Sequence, residues 1–301
     1  MTEAKSTGIE FEKNEEEVST DINPQEIDKD PASYARKIAS ERGDSYDQMA
    51  GFSVPRDFVM LPSKGRVYPS TSPLHNMEEI EVRHLTAADE DIMTSRALLR
   101  SGKAVDTMLS NVIVNRTVNV EELVSGDKNA ILTFLRITGY GPEYPVEIEC
   151  PDCDEQVNYE FDLSTLQMKF LDTDPVTEGE NRFLHTLPSG SSIEFKLLNS
   201  AEDAAITAEQ EKLRKVTNSP LEKSVTTKLK HQIISVEGKS DQSYINRFVD
   251  MLNVRDSRSF RKHLEEIEPD VIMKQDFVCP MCNHSEEVDI PITVGFFWPD
   301  D

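Results

Sequence analysis

Several features that mark large classes of protein are missing from this sequence. No stretch approaches the roughly 18 consecutive apolar residues that a membrane-spanning helix needs, and residues 1–4 lack the basic and apolar regions of a signal peptide. The six histidines are scattered, and neither a Gly-x-Ser-x-Gly nucleophile elbow nor a His-Glu-x-x-His helix occurs. We therefore expect a protein that contacts no membrane, takes no small-molecule substrate and is not an enzyme.

Basic side chains are scarce relative to acidic ones. The 301 residues carry 56 Asp and Glu against 32 Lys and Arg, a formal net charge of −24. Because nucleic-acid binding depends on clustered cations, we expect no nucleic acid among the partners. Residues 1–50 alone hold 13 acidic and 6 basic side chains and few large apolar ones. We interpret them as a disordered acidic tail with a short helix at 34–42, which is either a solvated leader or a docking segment.

Cysteine is also rare, and its placement is the most informative feature of the chain. The only four cysteines form two Cys-Pro-x-Cys motifs, Cys150 with Cys153 and Cys279 with Cys282. Two thiolates of one such turn reach the same tetrahedral ion, and two turns complete the four-sulfur shell that is typical of structural zinc. We therefore predict one structural Zn2+ per chain, bound by these four residues. Plain buried thiols and a redox dithiol are the alternatives, and His284 is a further candidate ligand.

The segments around each motif have the pattern of strands. A redox Cys-x-x-Cys motif lies between a strand and a helix, whereas residues 146–149 and 277–278 precede these motifs and residues 156–161 and 287–292 follow them with strand-like composition or alternation. This arrangement is typical of a zinc ribbon. Four thiolates leave no open position for water, so the ion is expected to build structure and not to catalyse. Thiols that are used for metal binding favour a reducing cytosol.

The two motifs belong to a longer internal repeat. They are 129 positions apart (279 − 150). The same separation relates Asp127 to Asp256, Val120 to Val249, Leu123 to Leu252 and Leu135 to Leu264. A second block repeats at 113 positions (193 − 80): residues 80–89 and 193–202 each predict a strand, an N-cap and a helix start, and residues 61–65 resemble 187–190 just upstream. Ordered matches that end in identical motifs indicate an internal duplication, with the ion as a clamp between the halves.

The predicted fold class is α+β, an internally duplicated helical unit with two zinc-ribbon knuckles that share one zinc site made of all four cysteines. We divide the chain into the tail (residues 1–50), a first repeat (51–170) and a second repeat (171–301). The predicted helices are residues 87–101, 103–115, a helix from Asp127 to about 138, and residues 201–216, 221–234, 241–252 and 257–267. Thr86 and Asp89 predict a capping box at the first helix and Gly102 its end, while Asp127 and Asp256 are predicted N-caps.

Two further segments carry candidate sites. Residues 61–69 contain Ser, Lys and Gly but lack the spacing of a phosphate-binding P-loop, so we expect a structural turn. Residues 294–301 hold three aromatic side chains, including the only Trp. Exposed, this cluster would anchor a partner; packed against the second ribbon, it would belong to the core.

Several segments of the first repeat resemble the baseplate hub proteins of T-even-like contractile-tailed bacteriophages. The segments are residues 61–69 (LPSKGRVYP), 85–92 (LTAADEDI), 125–130 (SGDKNA), 136–141 (RITGYG) and 144–146 (YPV), followed by the first Cys-Pro-x-Cys. The resemblance covers most of residues 55–165 and, more weakly, the second repeat. It implies a structural or assembly component of the tail baseplate hub, made in the host cytoplasm, with other phage baseplate or hub proteins as partners. It leaves open whether the protein stays in the virion tail baseplate or leaves as an assembly factor.

Two other classes of function remain as alternatives. One is a zinc-ribbon regulatory adaptor that binds transcription or replication proteins, with its acidic surface as a mimic of DNA. The other is a redox or hydrolytic enzyme, which a loosely held metal with an open coordination position would indicate. Co-sedimentation with phage tails distinguishes the adaptor from the hub component.

Overall fold

Helices and short antiparallel strands alternate along the chain in a computed structural model that describes residues 54–217, 224–290 and 296. The strands are β1 (Arg56–Met60), β2 (Glu79–Arg83), β3 (Glu143–Glu149), β4 (Gln156–Asp162), β5 (Gln167–Lys169), β6 (Phe183–Thr186), β7 (Ser192–Phe195), β8 (Ile233–Val236), β9 (Asp270–Ile272), β10 (Lys274–Val278) and β11 (Ser285–Asp289). The helices are α1 (Ala87–Thr94), α2 (Arg96–Ser101), α3 (Ala104–Val112), α4 (Ser125–Tyr140), α5 (Ser200–Thr217), α6 (Ser224–Gln232), α7 (Gln242–Asp250) and α8 (Val254–Ile267). The predicted α+β class is confirmed. The acidic tail, its predicted helix and most of residues 294–301 lie outside the described residues.

The strands pair into small antiparallel sheets. In the described part of the chain these are β1–β2, β3–β4, β5–β9, β10–β11 and the three-stranded sheet β6–β7–β8. The β5–β9 pair, in which Met168 lies opposite Val271, joins the two halves of the chain. Phe195 of β7 lies opposite Ile233 of β8. Short strands of this kind gain stability only when a face packs on other elements.

One large hydrophobic cluster contains apolar side chains from both halves. Leu61, Met108 and Leu135 of the first half are fully buried in it, as are Phe195 and Phe260 of the second. The rings of Phe195 and Phe260 meet edge to face with centroids 5.1 Å apart, a favoured aromatic geometry. Because the halves share this core, more than the cysteine region joins them.

The N-cap predictions for Asp127 and Asp256 are wrong. Helix α4 begins at Ser125 with Val124 as its N-cap, and α8 begins at Val254 after Asn253, whose Oδ1 accepts a 2.9 Å bond from the backbone N–H of Asp256. Both aspartates are thus third residues of their helices. Both carboxylates are buried. That of Asp127 accepts from Ser63 in the loop after β1, whereas that of Asp256 accepts from Ser189 after β6 and from the side chain of the N-cap Asn253.

Two other predicted helices differ from the structure. The single helix expected at residues 87–101 is broken at Ser95, an extended residue with ψ 113° that ends α1 and starts α2. The capping box of Thr86 and Asp89 and the left-handed Gly102 after Ser101 are confirmed. The helix expected at 221–234 ends at Gln232, because Ile233 and the three residues after it join the sheet of β7.

Candidate metal centre

Two antiparallel hairpins carry the four cysteines. In β3–β4 the last pair before the loop is Glu149 opposite Gln156, and in β10–β11 it is Val278 opposite Ser285. Each loop between these pairs contains one Cys-Pro-x-Cys motif. Strands therefore flank both motifs, as the alternation predicted, and each loop joins the two strands of one hairpin.

The two loops have the same backbone geometry. The N–H of Cys150 donates to the carbonyl of Glu155 at 2.9 Å, and the N–H of Cys279 donates to the carbonyl of His284 at 2.8 Å. Within each loop the first cysteine's carbonyl accepts a 2.9 Å bond from the residue four positions on, Asp154 or Asn283. These two residues have φ of 57° and 60°, the left-handed conformation that Asp and Asn tolerate better than most side chains. The sequence supplies a suitable residue at each turn.

The loops bring the four sulfur atoms into one cluster. The sulfurs of Cys150, Cys153, Cys279 and Cys282 all lie within 4.8 Å of one another. The Sγ of Cys150 lies 3.6 Å from that of Cys282, and the Sγ of Cys153 lies 3.8 Å from that of Cys279. A tetrahedral zinc ion with Zn–S bonds of about 2.3 Å requires sulfurs about 3.8 Å apart, whereas a disulfide requires about 2.05 Å. The four residues fit a four-coordinate metal ion, and all four are free thiols.

A small apolar layer supports the sulfurs. Cys150 and Cys279 are fully buried and cluster with Val157 and Phe277, apart from the main core. The ring of Tyr159 meets that of Phe277 edge to face at 5.0 Å, so side chains of one hairpin pack on the other. This layer has little apolar area of its own, and its position would depend on the atoms that hold the sulfurs together.

The thiols differ in their tendency to ionise. Burial opposes ionisation of Cys279, but the backbone N–H groups of Cys282 and Met281 donate to its sulfur and lower its pKa to about 7. The backbone N–H of His284 favours the thiolate of Cys282, but burial and the neighbouring thiols outweigh it and raise that pKa to about 12. Four thiols this close cannot all ionise without a cation, because like charges repel. A bound divalent cation would offset the repulsion between the four negative charges and stabilise the thiolates.

The four predicted cysteine ligands therefore lie together. The structure differs from the sequence prediction at two other residues, His284 and Asp127. His284 is not a member of the cluster among the described residues; its ring lies 3.5 Å from the carboxylate of Glu286. The sequence did not predict the network at the buried carboxylate of Asp127, which accepts bonds from Ser63 N (2.8 Å), Ser63 Oγ (2.5 Å) and Tyr68 OH (2.6 Å). Two sequence features could have indicated this network: the turn at residues 61–65, which recurs at 187–190, and the match of Asp127 with Asp256.

Comparison with known proteins assigns the chain to a family. In the described part of the chain no helix combines the length and the apolar character that a bilayer crossing requires. Neither the curated proteins nor the solved structures contain a match to this sequence. The family model described as T4 bacteriophage base plate protein matches residues 57–298, which include both hairpins and the shared core. Because the match spans most of the 301 residues, the chain belongs to the T4 bacteriophage base plate protein family.

Proposed function

We propose that this chain is a structural or assembly component of the phage tail baseplate hub, a protein-interaction module stabilised by one Zn2+ and without enzymatic activity. The observation that carries the proposal is the family match over residues 57–298. A second support is the four-sulfur cluster, whose spacing suits a closed structural site. Its partners would be other phage baseplate or hub proteins, met in the host cytoplasm during assembly or in the virion tail.

We also propose that the two halves arose by duplication, since they repeat contacts as well as sequence. The backbone N–H of Ser63 donates to Asp127 at 2.8 Å, and that of Ser189 donates to Asp256 at 3.1 Å. These pairs occupy matched positions after β1 and β6 and in the first turns of α4 and α8. Chance likeness of short sequence segments does not reproduce a long-range contact.

A second contact repeats at the 113-residue separation. Arg83 donates to the carboxylate of Asp89 at 2.7 and 2.8 Å, and Lys196 donates to Glu202 at the matched positions. In each half the acid is also the third residue of its helix and accepts from the backbone N–H of the cap residue. A cation at or just after the end of the strand thus fixes the start of the following helix in both halves. The repeat units would be residues 51–170 and 171–301.

The zinc ion would be held by Cys150, Cys153, Cys279 and Cys282. When bound, it would supply four strong bonds in a closed tetrahedral shell and no position for a reactive water. The hairpins would then be fixed against each other by the ion and by the contact of Tyr159 with Phe277. A baseplate subunit needs surfaces held at constant angles, and this joint would provide that rigidity with little hydrophobic core.

Native mass spectrometry tests the metal. We expect one zinc ion per chain, lost in strong chelator, and none in Cys150→Ser. Met281→Ala is the matched control, because Met281 lies in the second loop but is 68% exposed; it should keep its ion. A chain that purifies folded without metal would contradict the zinc proposal and leave the family assignment untouched.

Co-sedimentation tests the biological role. Tagged protein supplied to cells that assemble tails should sediment with baseplates or baseplate intermediates, and Cys279→Ser should reduce that fraction at least about tenfold if the clamp positions the interaction surfaces. Met281→Ala should co-sediment normally. Recovery with transcription or replication proteins in place of baseplates would support the regulatory adaptor instead.

A further inference from the structure

In the first half, the residues at the start of helix α4 form backbone hydrogen bonds with residues of the second half. The backbone N–H of Ser125 donates to the carbonyl of Leu198 at 3.1 Å, and the N–H of Ser200 donates to the carbonyl of Leu123 at 2.9 Å. Between these bonds, Val124 and Asn199 form an antiparallel bridge. We call residues 123–125 the first edge and residues 198–200 the first docking segment. Together they close a two-bond bridge between the halves.

The matched edge of the second half is open. The 129-residue separation places Leu252, Asn253 and Val254 at the positions of residues 123–125. Val254 is 80% exposed and nearby Met251 is 85% exposed, the highest values among the large apolar side chains of the described residues. Neither the carbonyl of Leu252 nor the N–H of Val254 has a hydrogen-bond partner in the part of the chain that the structure describes. We call residues 251–254 the second edge.

The counterpart of the first docking segment is open as well. The 113-residue separation places Leu85, Thr86 and Ala87 at the positions of residues 198–200. The carbonyl of Leu85 and the N–H of Ala87 match the groups of Leu198 and Ser200 that close the bridge. Among the described residues neither has a hydrogen-bond partner, and Ala87 is exposed. We call residues 85–87 the second docking segment.

The charges around the two open elements are opposite. Helix α8 exposes Arg255 and Arg258 just after the second edge. Helix α1 exposes Glu90 and Asp91 just after the second docking segment. In a chain of net charge −24, an exposed cationic helix face beside two exposed apolar side chains is a surface suited to an acidic partner surface. The second docking segment lies on such a surface.

One position differs between the two edges and shapes the expected contact. A Cβ on Gly126 would lie 1.8 Å from the carbonyl oxygen of Pro269, so the first edge allows a very close approach on that side. The matched position in the second half is Arg255. The second half therefore carries an exposed cation where the first half has a close backbone contact, and its guanidinium would be free to pair with Glu90 or Asp91 of a docked copy.

We propose that the second edge binds the second docking segment of another copy of this chain, so that the protein self-associates head to tail. The expected bonds are Val254 N–H to the carbonyl of Leu85 and Ala87 N–H to the carbonyl of Leu252, with Met251 and Val254 buried at the contact. This self-association rests on the duplication proposed above. Because each copy offers one edge and one segment, the contact is heterologous and generates a closed ring or an open filament.

Two substitutions each disrupt one of the two proposed binding elements, the second edge or the second docking segment, and are compatible with the fold. Val254→Asp places a carboxylate at the first position of α8, where the helix dipole favours it, and removes the apolar contact. Ala87→Pro removes the proposed donor at the first position of α1, where proline is tolerated after the extended Thr86 (φ −125°, ψ 164°). Val176→Asp is the control, because Val176 is also exposed, at 49%, but lies far along the chain from both faces.

Sedimentation velocity of the full chain, from low micromolar to near-millimolar concentration, tests the proposal. Wild type and Val176→Asp should form concentration-dependent oligomers that salt weakens. Each of the other two variants should weaken association at least about tenfold. An equimolar mixture of Val254→Asp and Ala87→Pro should form a 1:1 dimer and stop there, because it retains one intact edge and one intact segment.

Three results would overturn the inference: a monomer at every concentration, oligomers unaffected by Val254→Asp, or a mixture that fails to form the capped dimer. The metal content of the same samples distinguishes this failure from failure of the proposed function. A monomer that carries one zinc ion leaves the proposed function intact and removes only the self-association. A misfolded variant is recognised by loss of its ion, and Met251→Gln then replaces Val254→Asp.

Discussion

At the residue scale, the buried carboxylate of Asp127 is the best-defined polar group outside the cysteines. Burial raises its pKa, while the bonds from Ser63 and Tyr68 favour the ionised form. Tyr68 OH also accepts from the backbone N–H of Val124 at 3.1 Å, so the network ties the loop after β1 to the start of α4. Three donors that converge on one carboxylate form a network in which every member is needed.

We expect Asp127→Asn to lower the free energy of unfolding by about 2–3 kcal/mol. The amide relieves the cost of the buried charge, but it directs an N–H2 group at donors and leaves one of them without an acceptor. Urea denaturation monitored by circular dichroism measures the change. The control is Asp91→Asn on exposed α1 surface, with a change below about 0.5 kcal/mol. Unchanged stability in Asp127→Asn would show that the network does not need a carboxylate.

We expect the imidazole of His185 to make stability depend on pH. Its pKa is lowered by burial first and by neighbouring His263 second, and Glu266 opposes the shift. The ring stacks on His263 at 4.3 Å, and its Nε2 has no hydrogen-bond partner among the described residues. The neutral form therefore fits the fold, whereas the unfolded chain takes up a proton near pH 6.5.

Because the folded pKa lies below the unfolded one, stability is complete above about pH 6.5 and is lost as the pH falls below that value. His185→Phe keeps an aromatic ring and removes the titration. Between pH 7 and pH 5 we expect wild type to lose more stability than this variant, by less than about 1.4 kcal/mol per pH unit because solvent screens the partly exposed ring. Urea midpoints at several pH values measure the difference. Parallel curves would exclude His185 as the source.

At the element scale, helix α4 shows how neighbours decide local structure. Gly126 and Gly139 both lie inside it, where glycine is unfavourable by about 1 kcal/mol relative to alanine. Gly126 meets the backbone of Pro269, whereas a Cβ on Gly139 would lie 3.0 Å from the end of the flexible Leu85 side chain. Sequence alone does not distinguish the two glycines, but the packing does.

We expect Gly126→Ala to destabilise the protein by at least about 2 kcal/mol, because a backbone carbonyl must move. Gly139→Ala is the matched control in the same helix; it should change stability by less than about 1 kcal/mol, since Leu85 can adjust and the helix gains propensity. Thermal and urea unfolding of both variants test this. Equal effects would mean that the close approach of α4 to Pro269 is not a fixed feature.

Elements that local sequence patterns determine were predicted well, whereas elements that depend on a distant partner were not. Helix α7 was predicted at 241–252 and runs over Gln242–Asp250, because its apolar stripe is a local signal. Asp241 is its N-cap and not its first residue, since the Asp241 carboxylate accepts from Tyr244 N–H at 2.8 Å. The first two residues of strand β8, Ile233 and Ile234, were assigned to the end of the helix predicted at 221–234, because they directly follow a helical pattern. Only the distant partner β7 turns them into a strand, and a short β-branched run carries no local mark of that choice.

At the scale of the whole molecule, the cysteine cluster and the main core are separate structures. The sequence predicts an ion that clamps the halves together, but the halves also share the main core, the β5–β9 sheet and the bridge of Val124 with Asn199. Only the small layer of Val157 and Phe277 depends on the hairpins alone. We therefore expect loss of metal to destabilise the two hairpins before it affects the main core.

We expect chelation to raise amide hydrogen exchange in β3–β4 and β10–β11 by at least about tenfold, with little change in α4 and β7. Cys153→Ser should reproduce the pattern without chelator, and Met281→Ala should resemble wild type. Hydrogen exchange with peptide resolution provides the measurement. Uniform exposure of both halves would instead show that the ion holds the entire fold together.

The sequence by itself determined the four cysteines, their pairing into two motifs, the strands around them and the matched order of the halves, because each of these is written in spacings of a few residues or in repeats. Tertiary structure alone decided that the two motifs meet within 4.8 Å, that Asp127 faces Ser63 and not its own helix end, and that one edge is occupied while its counterpart is open. Those outcomes depend on which distant surfaces pack together, and packing is a property of the folded chain as a whole.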